Sequence, residues 1–109
     1  MIEKYNFTSI IIDDKEYFND VKVSKYGVEE WKRNDNHLIQ TVDLRCALNE
    51  KPNIIIIGIA NPDLLEITPE AENFIEETNV CFVVEPIKKA IQTYNILSKF
   101  KNVVALLSF

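Results

Sequence analysis

Pro52-Asn53-Ile54-Ile55-Ile56-Ile57-Gly58 is the stretch on which the fold turns. Four consecutive isoleucines without polar alternation read as a strand covered on both faces, bounded by Pro52 and Gly58. Working outward, Gly58-Ile59-Ala60-Asn61-Pro62 reads as a turn leading to a helix. In that helix Thr68 can act as N-cap, Pro69 occupies the first turn, and Glu70 and Glu72 favour the positive end of the dipole. Ala71, Phe74, Ile75 and Thr78 form its expected inner face. Val80 to Val84 reads as a second buried strand. Pro86 then opens a helix whose apolar residues Ile87, Ala90, Ile91, Tyr94 and Leu97 recur at i, i+3, i+4 and i+7. Asn102 turns into a third apolar strand, Val103 to Leu107. Strand, helix, strand, helix, strand in this order predicts βαβ crossovers within an α/β domain.

Toward the amino terminus, Phe7 to Ile12 is apolar and β-branched, and Asp13-Asp14-Lys15 supplies turn chemistry. The second arm of that hairpin is expected over Glu16 to Val23, where Asp20 and Lys22 mark a wetted face. Such a hairpin is marginal alone and is expected to lie against the central sheet as an extra layer. Tyr26 to Gln40 reads as a strand end and a loop. Thr41 to Leu48 reads as a short helix, with Val42, Cys46 and Ala47 in one row and Leu44 and Leu48 in a second, stopped by Lys51-Pro52-Asn53.

With 109 residues the chain has the size of one domain, 1–109, and can bury a core without disulfide or structural metal. Cys46 and Cys81 lie far apart and form no C-x-x-C pair, which points to a reducing, cytoplasmic setting. No apolar run approaches the ~20 residues of a membrane span. A net charge of −5, with Glu66, Glu70, Glu72, Glu76 and Glu77 crowded together, argues against nucleic acid or anionic lipid as a partner. Lys32-Arg33 and Lys88-Lys89 are the local basic spots. The abundance of Ile, Lys and Asn hints at a prokaryotic, AT-rich source.

Reactive constellations are sparse. His37 is the only histidine; it reads as a loop anchor, and its functional alternative is an acid–base or anion-orienting pair with Asp43. No serine sits in a nucleophile elbow. One His and two separated Cys cannot close a zinc site, and Asp13-Asp14 lack calcium-loop spacing, so neither metal nor cofactor is expected. Gly58 to Pro62 lies at the carboxyl end of a central strand, where open α/β sheets bind ligands. A pocket there would draw on Gly58, Asn61, Pro86, Lys88 and Thr93, with Lys88 as the positive charge. Tyr94 faces the core, whereas Asn95, just off that stripe, can bond a neighbouring loop or a partner.

Several segments together resemble one family. They are the turn Ile12-Asp13-Asp14-Lys15, the pair Asp20-Val21, Trp31 before Arg33, and His37 followed by Asp43-Leu44. The strand Ile54 to Gly58, the segment Val84-Glu85-Pro86-Ile87-Lys88-Lys89-Ala90 through Leu97, and the ending Asn102 to Leu107 complete the set. The pattern is similar, over nearly the full chain, to the small Mth-type domains, which include the adipogenesis-associated Mth domain-containing protein and mitochondrial complex I assembly factor three. Two segments depart from it. Only Gly58 stands where the family has Gly-Thr-Gly, and Glu85-Pro86-Ile87-Lys88 replaces a Met-Asp-Thr-like helix start. The resemblance implies a three-layer domain: a central mixed, mostly parallel sheet flanked by helices, with a small antiparallel N-terminal β layer. It carries no enzymatic reaction and associates its eukaryotic members with protein assembly or regulation.

These readings converge on a non-enzymatic interaction or assembly module with a protein partner of unknown identity. The alternative is a small anion- or metabolite-binding protein or enzyme using the cleft after Ile57, with His37, Asp43 and Lys88 as polar contributors. A third alternative is a homo-oligomer formed by the N-terminal hairpin or the terminal strand pairing with a second copy.

Overall fold

The computed structural model describes residues 1–109. Its central sheet has five strands in the order β5 (Gly27–Glu30), β4 (Val21–Ser24), β10 (Val103–Ser108), β7 (Ile54–Ile59) and β9 (Cys81–Pro86). β10, β7 and β9 run parallel, while β4 is antiparallel to both β10 and β5. The isoleucine run is thus next to the centre, and Ile55, Ile56 and Ile57 are fully buried, as an unbroken apolar strand requires.

Each face of the sheet carries its own core. On one side Ile56, Val103, Ala105 and Leu107 pack with Ile87, Ala90 and Tyr94 of α3 (Ile87–Leu97) and with Ile2, Ile10 and Ile12. On the other, Ile55, Ile57, Val104 and Leu106 pack with Leu44 and Ala47 of α1 (Thr41–Leu48), Ala71 of α2 (Pro69–Glu77), Trp31 and Ile39. The connection β7–α2–β9 moves outward along the sheet, and β9–α3–β10 moves back across β7. Right-handed crossovers in opposite directions put their helices on opposite faces, which produces the three layers.

The inner row of α3 is as its spacing predicts, and Thr68 caps α2 by accepting from the Ala71 N–H at 3.1 Å. Other local expectations are corrected. The residues of the second hairpin arm divide: β1 (Ile2–Tyr5), β2 (Ile10–Ile12) and β3 (Lys15–Tyr17) form a separate antiparallel sheet, and β4 joins the central one. Asp20 makes the break, because its carbonyl accepts the Trp31 N–H at 2.8 Å and its carboxylate binds Arg33 and the Phe109 N–H. Phe7 belongs to no strand. The Tyr26–Gln40 segment contains a strand, β5, and ends in β6 (Leu38–Ile39), which pairs with β8 (Glu66–Ile67). On α1 the buried side is Leu44, Ala47 and the carboxylate-bearing Asp43, whereas Val42 is exposed. β9, expected as a buried strand, is an edge strand with none of its residues fully buried, and the terminal strand β10 is the centre of the sheet with no free edge.

Two contacts lock α3 down. Asn95 clamps β1 from both sides: its Oδ1 accepts the Ile2 N–H at 2.9 Å and its Nδ2 donates to the Ile2 carbonyl at 2.8 Å. At Gly58, a methyl group would stand 2.7 Å from Ala90 Cβ and 2.8 Å from Leu107 Cδ2. The glycine lets helix and sheet approach. Gly58→Ala is expected to cost about 1–3 kcal/mol by overpacking, read as a lower urea midpoint. Adding Ala90→Gly should recover part of that loss in a double-mutant cycle.

Candidate functional site

The parallel strands deliver their carboxyl ends to one side of the molecule. There β7 leads to α2 on one face and β9 to α3 on the other, so a crevice opens between Ile59-Ala60-Asn61 and Pro86-Ile87-Lys88. Tyr5, at the end of β1, and Phe7, in the β1–β2 turn, complete a cleft of about 270 Å³. α3 starts there with Pro86 at its N-cap and no side-chain cap, and its second residue is Lys88. Of the residues expected at a pocket, Asn61, Pro86 and Lys88 come together in this cleft.

The cleft's outer wall is aromatic. Lys88 Nζ lies 5.3 Å over the Phe7 ring, Phe7 lies 5.3 Å from Tyr5, and Tyr5 meets Phe109 edge-on at 6.1 Å. Phe7 is 70% exposed and has a φ of 68°. A bulky L-residue in the left-handed region is strained, at a cost of about 1–3 kcal/mol. The turn holding it there is short: the Asn6 N–H donates to Ser9 O at 2.9 Å, and the Thr8 N–H to Asn6 O at 2.7 Å. Neither Tyr5 nor Phe7 stood out in the sequence, though Asn6 and Ser9 around Phe7 are turn formers that could have marked the loop.

The other expected residues lie elsewhere. Gly58 serves the packing of α3, and half-buried Thr93 does not line the cleft. Asp43 is buried beneath the start of α1, where it accepts the Gln40 N–H at 2.7 Å and the Asn34 N–H at 3.4 Å. Its carbonyl takes the Trp31 indole N–H at 2.9 Å. His37 is exposed; its Nδ1 lies 3.2 Å from the Leu64 carbonyl oxygen, and its backbone N–H donates to Asp35. No hydrogen bond or ion pair joins His37 to Asp43, and His37, Asp43 and Lys88 occupy separate places.

His37 and Asn61 border a second cleft, of about 280 Å³, with Asp20, Arg33, Asn36 and Ser108. Arg33 Nη1 donates to Asp20 at 2.7 Å, and the guanidinium lies 4.8 Å over the Trp31 ring. With both side chains largely enclosed, this pair ties the β5 exit to the carboxyl end of β10. No three His, Cys, Asp or Glu side chains converge in a way that could hold a metal.

A separate charged cluster lies on β4. Lys22, a buried residue, pairs with Glu50 and, at 3.6 Å, with Glu29. Burial alone would lower its pKa, but the hydrogen bond and charge of Glu50, aided by Glu29, raise it above the ordinary 10.5. Burial pushes the Cys46 thiol and the Tyr94 phenol upward from 9.0 and 10.0.

These features define a small α/β domain with a cleft at a sheet switch point and no assembled catalytic set. Over residues 2–108 the chain belongs to the family described as Protein of unknown function (DUF498/DUF598). Its fold matches the conserved hypothetical protein PH1505 from Pyrococcus horikoshii OT3, with a TM-score of 0.83 at 22% identity over 99% of this chain and 97% of that one. It also matches MT938, with a TM-score of 0.77 at 24% identity over 99% and 96% of the two chains. An outer membrane protein from Bartonella henselae gives a TM-score of 0.78 at 18% identity over 98% and 92%. At these identities the likeness is one of fold, and it agrees with the Mth-type resemblance in the sequence. No curated protein matches the chain. No helix is long and apolar enough to cross a membrane.

Asp43→Ala is expected to lower stability by about 1–2 kcal/mol through the lost cap, and His37→Ala by no more than about 0.5 kcal/mol; thermal unfolding of both variants checks this. Alkaline behaviour follows from the raised pKa values. Cys46, Tyr94 and Lys22 hold protons more tightly in the folded state, so stability falls as pH rises from 9.0, 10.0 and 10.5, respectively, through the higher folded values. Urea midpoints should therefore drop above these values, and Tyr94→Phe should make the drop shallower.

Proposed function

We propose that this is a non-enzymatic protein-interaction domain whose partner docks on the rim formed by Phe7, Tyr5, Phe109 and Lys88. The observation that carries this reading is Phe7 itself: a phenyl ring displayed to solvent at the cost of a strained backbone contributes little to the core. Outliers of this kind collect at functional surfaces. The scatter of His37, Asp43 and Lys88 supports it further, because a reaction needs its polar groups within reach of one substrate. The Lys88 charge and the uncapped start of α3 favour an acidic group beside the partner's apolar anchor. Two free thiols, Cys46 and Cys81, support placing this interaction in a reducing, cytoplasmic setting.

A second reading, a free anion bound in the same cleft, is favoured by the switch-point geometry and Lys88. One experiment separates the two. A photoreactive phenylalanine analogue at position 7, with the same group at Tyr26 on the opposite end as control, should give a discrete protein adduct in the cell of origin only from position 7. Phe7→Gly should remove co-purification of that protein while leaving stability within about 1 kcal/mol of the parent, since glycine accepts the positive φ but adds chain entropy. Equal labelling from both positions would sink the docking reading. Inorganic phosphate binding lost on Lys88→Ala, without a protein adduct, would replace it with the anion reading.

A further inference from the structure

The outer edge of β9 is a free, apolar pairing surface. β9 pairs only with β7, and its sequence, Cys81-Phe82-Val83-Val84-Glu85-Pro86, carries a single charge. The Cys81 N–H donates to Asn53 O at 3.3 Å, which fixes the phase of the parallel ladder. Cys81, Val83 and Glu85 turn their backbone groups toward β7, whereas Phe82 and Val84 turn theirs outward. Pro86 has no N–H to offer, so the outward donors are confined to Phe82 and Val84. Val84 is 50% exposed on the same face as half-buried Phe82.

Edges of this kind are usually blunted by lysine, by a bulge or by a covering element. β9 has no lysine, and its register with β7 is unbroken over six residues. Its pattern is also self-complementary. Two copies placed antiparallel about a two-fold axis through Val83 would set Phe82 of each opposite Val84 of the other as hydrogen-bonded pairs. All four outward N–H groups would then find carbonyl partners. Each exposed Val84 would be covered by an aromatic ring, a favourable cross-strand combination. Glu85, whose Oε1 is buried without a partner, would face Cys81 of the second copy, a weak thiol donor.

We infer that the chain self-associates through β9, joining two five-stranded sheets into one continuous sheet with Val83 on the axis. This goes beyond the docking rim, since its seam is centred on a different part of the molecule and its occupant is a second copy. The register makes a specific demand. Val83 of the two copies forms a non-hydrogen-bonded pair with Cα atoms about 4.5 Å apart, within reach of a disulfide. The Val84 residues are offset by two positions and are not within reach.

In a background carrying Cys46→Ser and Cys81→Ser, Val83→Cys should therefore give a covalent dimer on mild oxidation at least tenfold faster than Val84→Cys. The parent chain should show concentration-dependent dimerisation in sedimentation equilibrium, abolished by Val84→Lys, an exposed change that leaves the fold intact by circular dichroism. Equal or reversed crosslinking rates would overturn the register and the inference with it. A parent that stays monomeric at millimolar concentration would do the same, including the case in which a strand from another protein fills the edge.

Discussion

The parallel ladder between β7 and β10 is the interaction on which the rest of the molecule depends. It joins Val103 through Ser108 to Ile54 through Ile59, almost fifty residues apart in the chain, and nearly every side chain along it is buried. A strand pair apolar on both faces has to be covered twice, and each cover must come from a different part of the chain. α1 and α2 supply one layer; α3 and the N-terminal sheet supply the other. The small sheet is thus the second half of a cover that α3 alone is too narrow to provide.

The same constraint positions the candidate site. Because the two crossovers leave the sheet on opposite faces, their first turns diverge at the carboxyl end and open the crevice between Asn61 and Lys88. The N-terminal sheet, fixed against α3 by the Asn95 clamp, brings its first turn to that crevice. Phe7 is therefore held by the packing that completes the core, and its display to solvent follows from the architecture. Polar residues that could have formed a reactive group are used differently: Asp43 caps a helix, Asp20 and Arg33 tie strand ends, and His37 lies against a loop carbonyl. Apart from the buried Arg33 Nε, which has no partner, each is engaged locally.

Much of this was legible in the residues. Uninterrupted apolar runs at Ile54–Ile57 and Val103–Leu107 read as strands covered on both faces. The spacing from Ile87 to Leu97 can only be a helix with one buried side, and the Thr68-Pro69 start sets a helix end by local hydrogen bonding alone. Those features depend on neighbours a few residues away. The resemblance over Asp20, Trp31, Arg33 and the α3 segment agrees with the family to which the chain belongs.

What the chain could not disclose by itself is which strands become neighbours. Val80–Val84 and Val103–Leu107 look alike as sequences, yet one lies at the edge and the other at the centre, because strand order depends on contacts between distant segments. The division of the N-terminal residues between two sheets was hidden for the same reason: Asp20 looks like an ordinary polar strand residue until Arg33 and the Phe109 amide reach it from elsewhere. Phe7 read as the first residue of a strand, since nothing in its own side chain reports a positive φ. Local patterning determined the main strands and helices; long-range pairing decided the strand order, the open edge, and the positive φ that displays Phe7 beside the cleft.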